Sequence, residues 1–245
     1  MGKTRKTSVR RTNPPAGFTI EDGVLKSYVE KKGVTHVVIP DGVKEIGNRA
    51  SRFCVSMTDL TIPDSVTVIG VGAFVYCRNL THVTMPAGIT KMDEWAFWNC
   101  PALRRVDIGG CRFRMLPGRF GEVDFNLLLQ MAKHREVPDG LPEPLPLFCA
   151  LNLFLQDGSD KAAAYLRTRG LEAVKAVIDM DDSGDVAALL EAGGMVAAED
   201  VRPLLDYVIA HTQAGGNIEI QVYVTGYLNR HFPDAADPLA GLSLD

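Results

Sequence analysis

A chain of 245 residues with 46% apolar and 23% charged side chains has the composition of a globular protein, with room for one large domain or two small ones. No apolar run reaches the ~18 residues of a membrane span. The net charge of −4 carries no basic excess of the kind a nucleic-acid-binding domain shows.

In chain order, residues 1–17 come first as a basic arm expected to be disordered, with Lys3, Arg5, Lys6, Arg10 and Arg11 and no acid before residue 12. No aromatics interleave with these charges, which argues against nucleic acid and for a solvated tail. A basic start can open a signal peptide, but Thr12, Asn13, Pro14 and Pro15 stand where an apolar h-region belongs. A cytoplasmic address is therefore expected. Residues 18–28 (FTIEDGVLKSY) read as a hairpin, with Asp22-Gly23 as its tight turn, placed to cover the open N-terminal end of a repeat array.

The array is one pattern written three times at a period of 23 residues. Pro40, Pro63 and Pro86 mark it. Val43, Val66 and Ile89 come three residues later, then Ile46, Ile69 and Met92, then Ala50, Ala73 and Ala96, then Cys54, Cys77 and Cys100. Met57, Leu80 and Leu103 lead into Leu60, Val83 and Val106, and Ile39, Ile62, Met85 and Ile108 close the ladder. A fixed period of this length is the mark of a stacked solenoid. One repeat offers about eight inward apolar side chains, worth roughly 16 kcal/mol, against an ordering cost on the order of 20 to 40 kcal/mol, so a turn folds only against its neighbours. Each proline ends its strand, having no N–H for the ladder. The stretch Gly70 to Cys77 reads as a short helical or 3₁₀ arc on the opposite side, with Ala73, Phe74 and Cys77 inward.

Cys54, Met57, Leu60, Ile62, Pro63, Val66, Ile69, Gly70, Ala73 and Phe74 keep the order C-x-x-L-x-x-[VI]-x-[IL]-P-x-x-[VI]-x-x-I-G-x-x-A-F, and the next copy runs from Cys77 through Phe97. Over residues 18–110 the chain resembles the BspA-like, or Treponema-type, leucine-rich repeats. It departs from them at Ser51, where an aromatic belongs, at Asp93, where glycine belongs, and at Gly109 in place of the next proline, which ends the array. The resemblance implies a bacterial binding scaffold, brings no catalytic residues, and makes a surface adhesin exported by another route the alternative to a cytoplasmic module.

Residues 111–146 break the period. Leu127, Leu128, Leu129 and Met131, with Phe125, suggest a helix closing the C-terminal end of the solenoid, and residues 137–146 (VPDGLPEPLP) form a proline-rich linker. Residues 147–232 read as an all-α unit with helices near 147–156, 159–168, 170–179, 184–192, 198–212 and 217–231, punctuated by Gly158, Gly170, Gly193-Gly194 and Gly215-Gly216. DVAALLEAG at 185–193 resembles the second helix of an ankyrin-type pair and is echoed at 219–224. Residues 233–245 are left as a tail. The fold class expected is α+β: a short solenoid and then helical hairpins.

Candidate sites come from the columns. Trp95 and Trp98 fill columns held by Arg49 and Arg52 in one turn and Gly72 and Val75 in another, with Tyr76 on the neighbouring turn. They are either partner-binding anchors or side chains packed beneath the C-terminal helices. The open strand face stacks His36, Asp59, His82 and Arg105 in one column, a ligand surface or a solvated ladder. Asp179, Asp181, Ser183 and Asp185 imitate the start of a calcium loop, but Leu190 stands where the bidentate glutamate belongs, so a turn with a helix cap is expected. Cys54, Cys77 and Cys100 form an inward ladder of reduced thiols; no CxxC occurs, and no metal or cofactor is expected. With no phosphate loop and no nucleophile–base set, the reading is a non-enzymatic scaffold that binds a protein partner. An accessory role beside an enzyme or nucleic-acid-binding unit is the remaining alternative.

Overall fold

The computed structural model describes residues 16–93, 95–115, 125–142 and 144–236. Two ladders of strands run the length of the repeat array. The first contains β1 (Phe18–Glu21), β2 (Val24–Tyr28), β4 (Glu45–Ile46), β6 (Val68–Ile69) and β8 (Lys91–Met92), in that order. The second contains β3 (His36–Val38), β5 (Asp59–Thr61), β7 (His82–Met85), β9 (Arg105–Ile108) and β10 (Cys111–Arg114). From β3 to β9 and from β2 to β8 every pairing is parallel, each residue facing the one 23 positions on within the repeats. Threonines stitch the same step: the Thr67 and Thr81 hydroxyls donate to the carbonyls of Lys44 and Thr58, and Thr90 to Thr67. The two-residue strands of the first ladder have no signature in the sequence, because two residues are too few to show alternation.

The side between the ladders is built from i→i+3 turns, such as Ala73 N–H to Gly70 and Val75 N–H to Gly72, broken by left-handed residues before a helix can propagate. Gly70 is required there, since a Cβ would fall 2.4 Å from Asn48 Oδ1. Inside, the repeat columns Ile39/Ile62/Met85/Ile108, Val43/Val66/Ile89, Ile46/Ile69/Met92 and Cys54/Cys77/Cys100 are all buried. Phe74 and Phe97 stack at 4.9 Å, and Phe125 continues the stack onto Phe97 at 4.5 Å. The thiols are free: Cys77 donates to the Ser51 carbonyl and Cys100 to that of Phe74. Contact with Cys77 pushes the Cys54 thiol far up, contact with Cys100 does the same for Cys77, and burial pushes Cys149 up to about 12, so none is poised to react.

The N-terminal hairpin, turning through left-handed Asp22 and Gly23, closes the first ladder through β2 on β4 and reaches the turn side through Tyr28 N–H to the Ala50 carbonyl. Among the described residues it does not pair with β3, which is the N-terminal edge of the second ladder. At the other end the chain reverses at Gly109-Gly110 and lays β10 antiparallel on β9. A Cβ on Gly109 would sit 2.6 Å from that of Ala87, so the reversal needs glycine.

Helices finish the C-terminal end. From α1 (Phe125–His134), Asn126 donates to the Met92 carbonyl at 3.3 Å and Lys133 to that of Ile89 at 3.5 Å, closing the edge at β8. From α2 (Leu145–Asp157), Asn152 accepts from Arg114 N–H at 2.7 Å and donates back to the Arg114 carbonyl at 3.2 Å, and Gln156 accepts from Arg112 N–H at 2.6 Å. Residues i and i+4 of a helix rise about 6 Å, and i and i+2 of a strand about 6.7 Å, so two amides one helical turn apart meet two strand positions that face the same way. A helix thus stands where another strand would pair. Next in the chain are α3 (Asp160–Thr168), α4 (Gly170–Asp179), α5 (Ser183–Glu191), α6 (Val201–Gln213), α7 (Ile218–His231) and α8 (Pro233–Ala236), with a 3₁₀ turn at Ala198–Asp200. They pack as neighbours α2/α3, α4/α5 and α6/α7, with α5 also on α7. Ser159, Asp182 and Asn217 cap α3, α5 and α7. The buried apolar side chains form one cluster from Leu25 to Leu228.

Candidate binding face

On the turn side, each 23-residue step places Arg49, Gly72 and Trp95 in one column and Arg52, Val75 and Trp98 in the next, as the bonds Arg49 N–H to Val71, Phe53 N–H to Val75 and Tyr76 N–H to Trp98 fix. The three turns differ in height. Gly72 and Val75 form a low floor between a wall of arginines and a wall of tryptophans, enclosing a groove of about 470 Å³ lined mainly by apolar atoms. Trp95 is 62% exposed and Trp98 49%, so neither packs beneath the C-terminal helices. Phe53, 55% exposed, stacks on Tyr76 at 5.0 Å, Tyr76 meets Trp98 edge-on at 5.2 Å, and the Arg52 guanidinium lies 5.9 Å from the Phe53 ring centroid.

The backbone under this groove is unusual. Arg49, Phe53 and Tyr76 have φ of 55°, 59° and 62°, the left-handed region that side chains larger than asparagine avoid. Their columns show what that backbone prefers: Gly72 succeeds Arg49, and Asn99 succeeds Phe53 and Tyr76. Among the described residues four large side chains stand at positions that disfavour them; three of them line the groove, and the fourth, Arg135, follows α1. Column spacing in the sequence singles out Trp95, Trp98 and Tyr76 but misses Phe53 and the two arginines as a wall. A signal for Phe53 exists: an aromatic where the same column elsewhere carries asparagine.

The strand face is in register as the columns required: His36 faces Asp59, Asp59 faces His82, and His82 faces Arg105. His82 Nε2 lies 3.0 Å from Asp107, and its Nδ1 3.5 Å from Asp59. The Arg105 guanidinium is 3.0 Å from the ring, and Arg112 reaches Asp107 at 3.5 Å. His36 is exposed at the β3 edge, two turns from His82. The Thr84 hydroxyl is 3.3 Å from His82 Nε2, which gives a hydroxyl–imidazole–carboxylate order with Asp59. Asp107 competes for the same ring nitrogen at shorter range and Arg105 occupies the ring edge, so this cluster is a mutually neutralised ladder.

The acidic stretch before α5 is consumed by structure. Asp179 accepts from the Tyr207 hydroxyl, Asp181 from His211 and Asn217 N–H, and Asp182 caps α5. Asp185 is buried in an ion pair with Arg114 of β10. Among the described residues no cluster has the composition of a metal site, and no helix is long and apolar enough to cross a membrane.

Residues 25–112 match the family model described as a BspA type leucine rich repeat region, in six copies. No curated protein matches the chain. Among solved structures, a leucine rich cell surface protein from Faecalibacterium prausnitzii is 23% identical over 36% of this chain and 35% of its own, with a TM-score of 0.22. The similarity thus spans about a third of that protein's length.

Proposed function

We propose that this chain, whose residues 25–112 are a BspA-type leucine-rich repeat region, is a non-catalytic scaffold that binds a protein partner through the groove between Arg49/Arg52 and Trp95/Trp98. The observation that carries the reading is the groove itself: Arg49 and Phe53 stand exposed on left-handed backbone, across from the exposed Trp95 and Trp98. Aromatic and arginine side chains are the usual anchors of protein interfaces: rings bury large area at low entropic cost, and the planar guanidinium stacks on rings and hydrogen-bonds in a fixed fork. The solenoid contributes rigidity, holding the anchors one turn apart before any partner arrives. Each wall comes from a different turn, 46 residues apart in the chain, so the site exists only when the turns stack.

The test compares capture of partners by the intact chain and by a Trp95→Ala/Trp98→Ala variant shown by circular dichroism to be folded. A partner held by the first and released by the second supports the groove. Equal recovery by both overturns it and moves attention to the strand face.

A further inference from the structure

The partner's chemistry can be narrowed, and this step rests on the scaffold reading above. The groove is a ladder with one layer missing. Solenoid turns are about 4.8 Å apart, so the arginine and tryptophan walls stand about 9.6 Å apart, with Gly72 and Val75 as the floor between them and Tyr76 beside it, edge-on to Trp98. A flat ring inserted above that floor lies about 4.8 Å from each wall: stacked on tryptophan on one side and under a guanidinium on the other, where a cation is attracted to the ring face. Two such rings are needed, spaced as Gly72 is from Val75.

The chain itself presents that pair. Trp95 and Trp98 stand in the same two columns as Gly72 and Val75, one turn further on, and project as an exposed ridge. A two-fold axis running along the arc, midway between these turns, turns the solenoid axis end for end and leaves each column in place. It lowers the tryptophan ridge of one copy into the groove of the other, Trp95 over Gly72 and Trp98 over Val75, and does the reverse in the same contact. We propose that the groove pairs with a second copy of this chain, as an isologous dimer in which each ridge fills the other's missing layer. Each copy supplies both the aromatic and the cation, so no external charge is required.

The experiment is sedimentation of the full chain from micromolar concentrations up to about 1 mM. The expected result is a mass rising from 26.7 kDa towards twice that value, with tryptophan emission shifting to the blue in step, since the chain's two tryptophans both lie in the contact. Val75→Trp fills the gap from within and Trp98→Ala removes half the ridge; each is expected to weaken association at least about tenfold without altering the circular dichroism. A wild-type chain that stays at 26.7 kDa throughout overturns the proposal, as does a dimer that either folded variant forms equally well. A monomer that still holds a partner through Trp95 and Trp98 overturns only self-pairing. A dimer with no other partner overturns only the scaffold's heterologous role.

Discussion

Arg49 illustrates how single residues here trade stability for surface. Its φ of 55° costs an ordinary L-residue about 1 kcal/mol relative to asparagine, and its column offers glycine at the next turn. Arg49→Asn is expected to raise the unfolding free energy by about 1 kcal/mol in urea titration while weakening whatever the groove holds. A variant that is less stable would mean the guanidinium contributes more to the fold than its backbone costs. Asp185 makes a second case. Burial pushes its carboxyl above the usual range, and the Arg114 guanidinium only partly offsets this. A raised carboxyl means that the folded chain holds this proton more tightly than the unfolded one. The group's contribution is full below about pH 3.9 and fades as pH rises through the folded value. Asp185→Asn removes that slope. Denaturation midpoints at pH 7 and pH 4 should show the natural chain gaining on the variant as pH falls; the reverse would mean that the ion pair outweighs burial.

Among the elements, β10 and α2 matter most to the C-terminal end. Asn152 is buried and satisfies both backbone groups of Arg114. Asn152→Ala leaves a donor and an acceptor with no partner and is expected to cost about 3 kcal/mol, against about 1 kcal/mol for Gln156→Ala at the more exposed position. Amide exchange at Arg112 and Arg114 checks this directly, because each should lose protection in its own variant. This junction is only half legible in the sequence. Leu127, Leu128, Leu129 and Met131 announce α1 by spacing, and Gly158, Gly170, Gly193-Gly194 and Gly215-Gly216 punctuate α2 to α7, while α8 falls in the stretch read as a tail. CRFR at 111–114 alternates as a strand does, but nothing local says that its edge meets a helix rather than another strand. That fact lives in the match between two rises, not in either segment. The four acidic or hydroxyl positions 179, 181, 183 and 185 show the converse, a loop-like motif whose carboxylates serve as ties to Tyr207, His211, Asn217 and Arg114, while Asp182 between them caps α5.

For the whole molecule, translation by 23 residues is the governing symmetry, and it explains why the solenoid can be read from sequence while its groove can be read only in part. A column is visible in one dimension. The height difference between columns, which makes walls and floor, depends on which way each side chain leans and on left-handed backbone that no single residue declares. The same symmetry predicts that removing residues 60–82, one full period, leaves a folded chain with one turn fewer and Arg49 beside Trp95. Circular dichroism should be retained with proportionate loss of signal, and the tryptophan emission should move to the blue as the gap closes on itself. Loss of all cooperative unfolding would show that the turns are not interchangeable.

The two ends of the array are finished unequally, and this gives the molecule a mechanical direction. The last turn is tied by side chains of α1 and α2 into the single apolar cluster, whereas among the described residues β3 at the front pairs with β5 alone. Drawn out by its termini, the solenoid should peel from the front, each turn yielding about 75 Å of extended chain before the next is loaded. Tension would therefore dismantle the arginine wall while the tryptophan wall still stood, releasing the groove's occupant before the fold as a whole gave way.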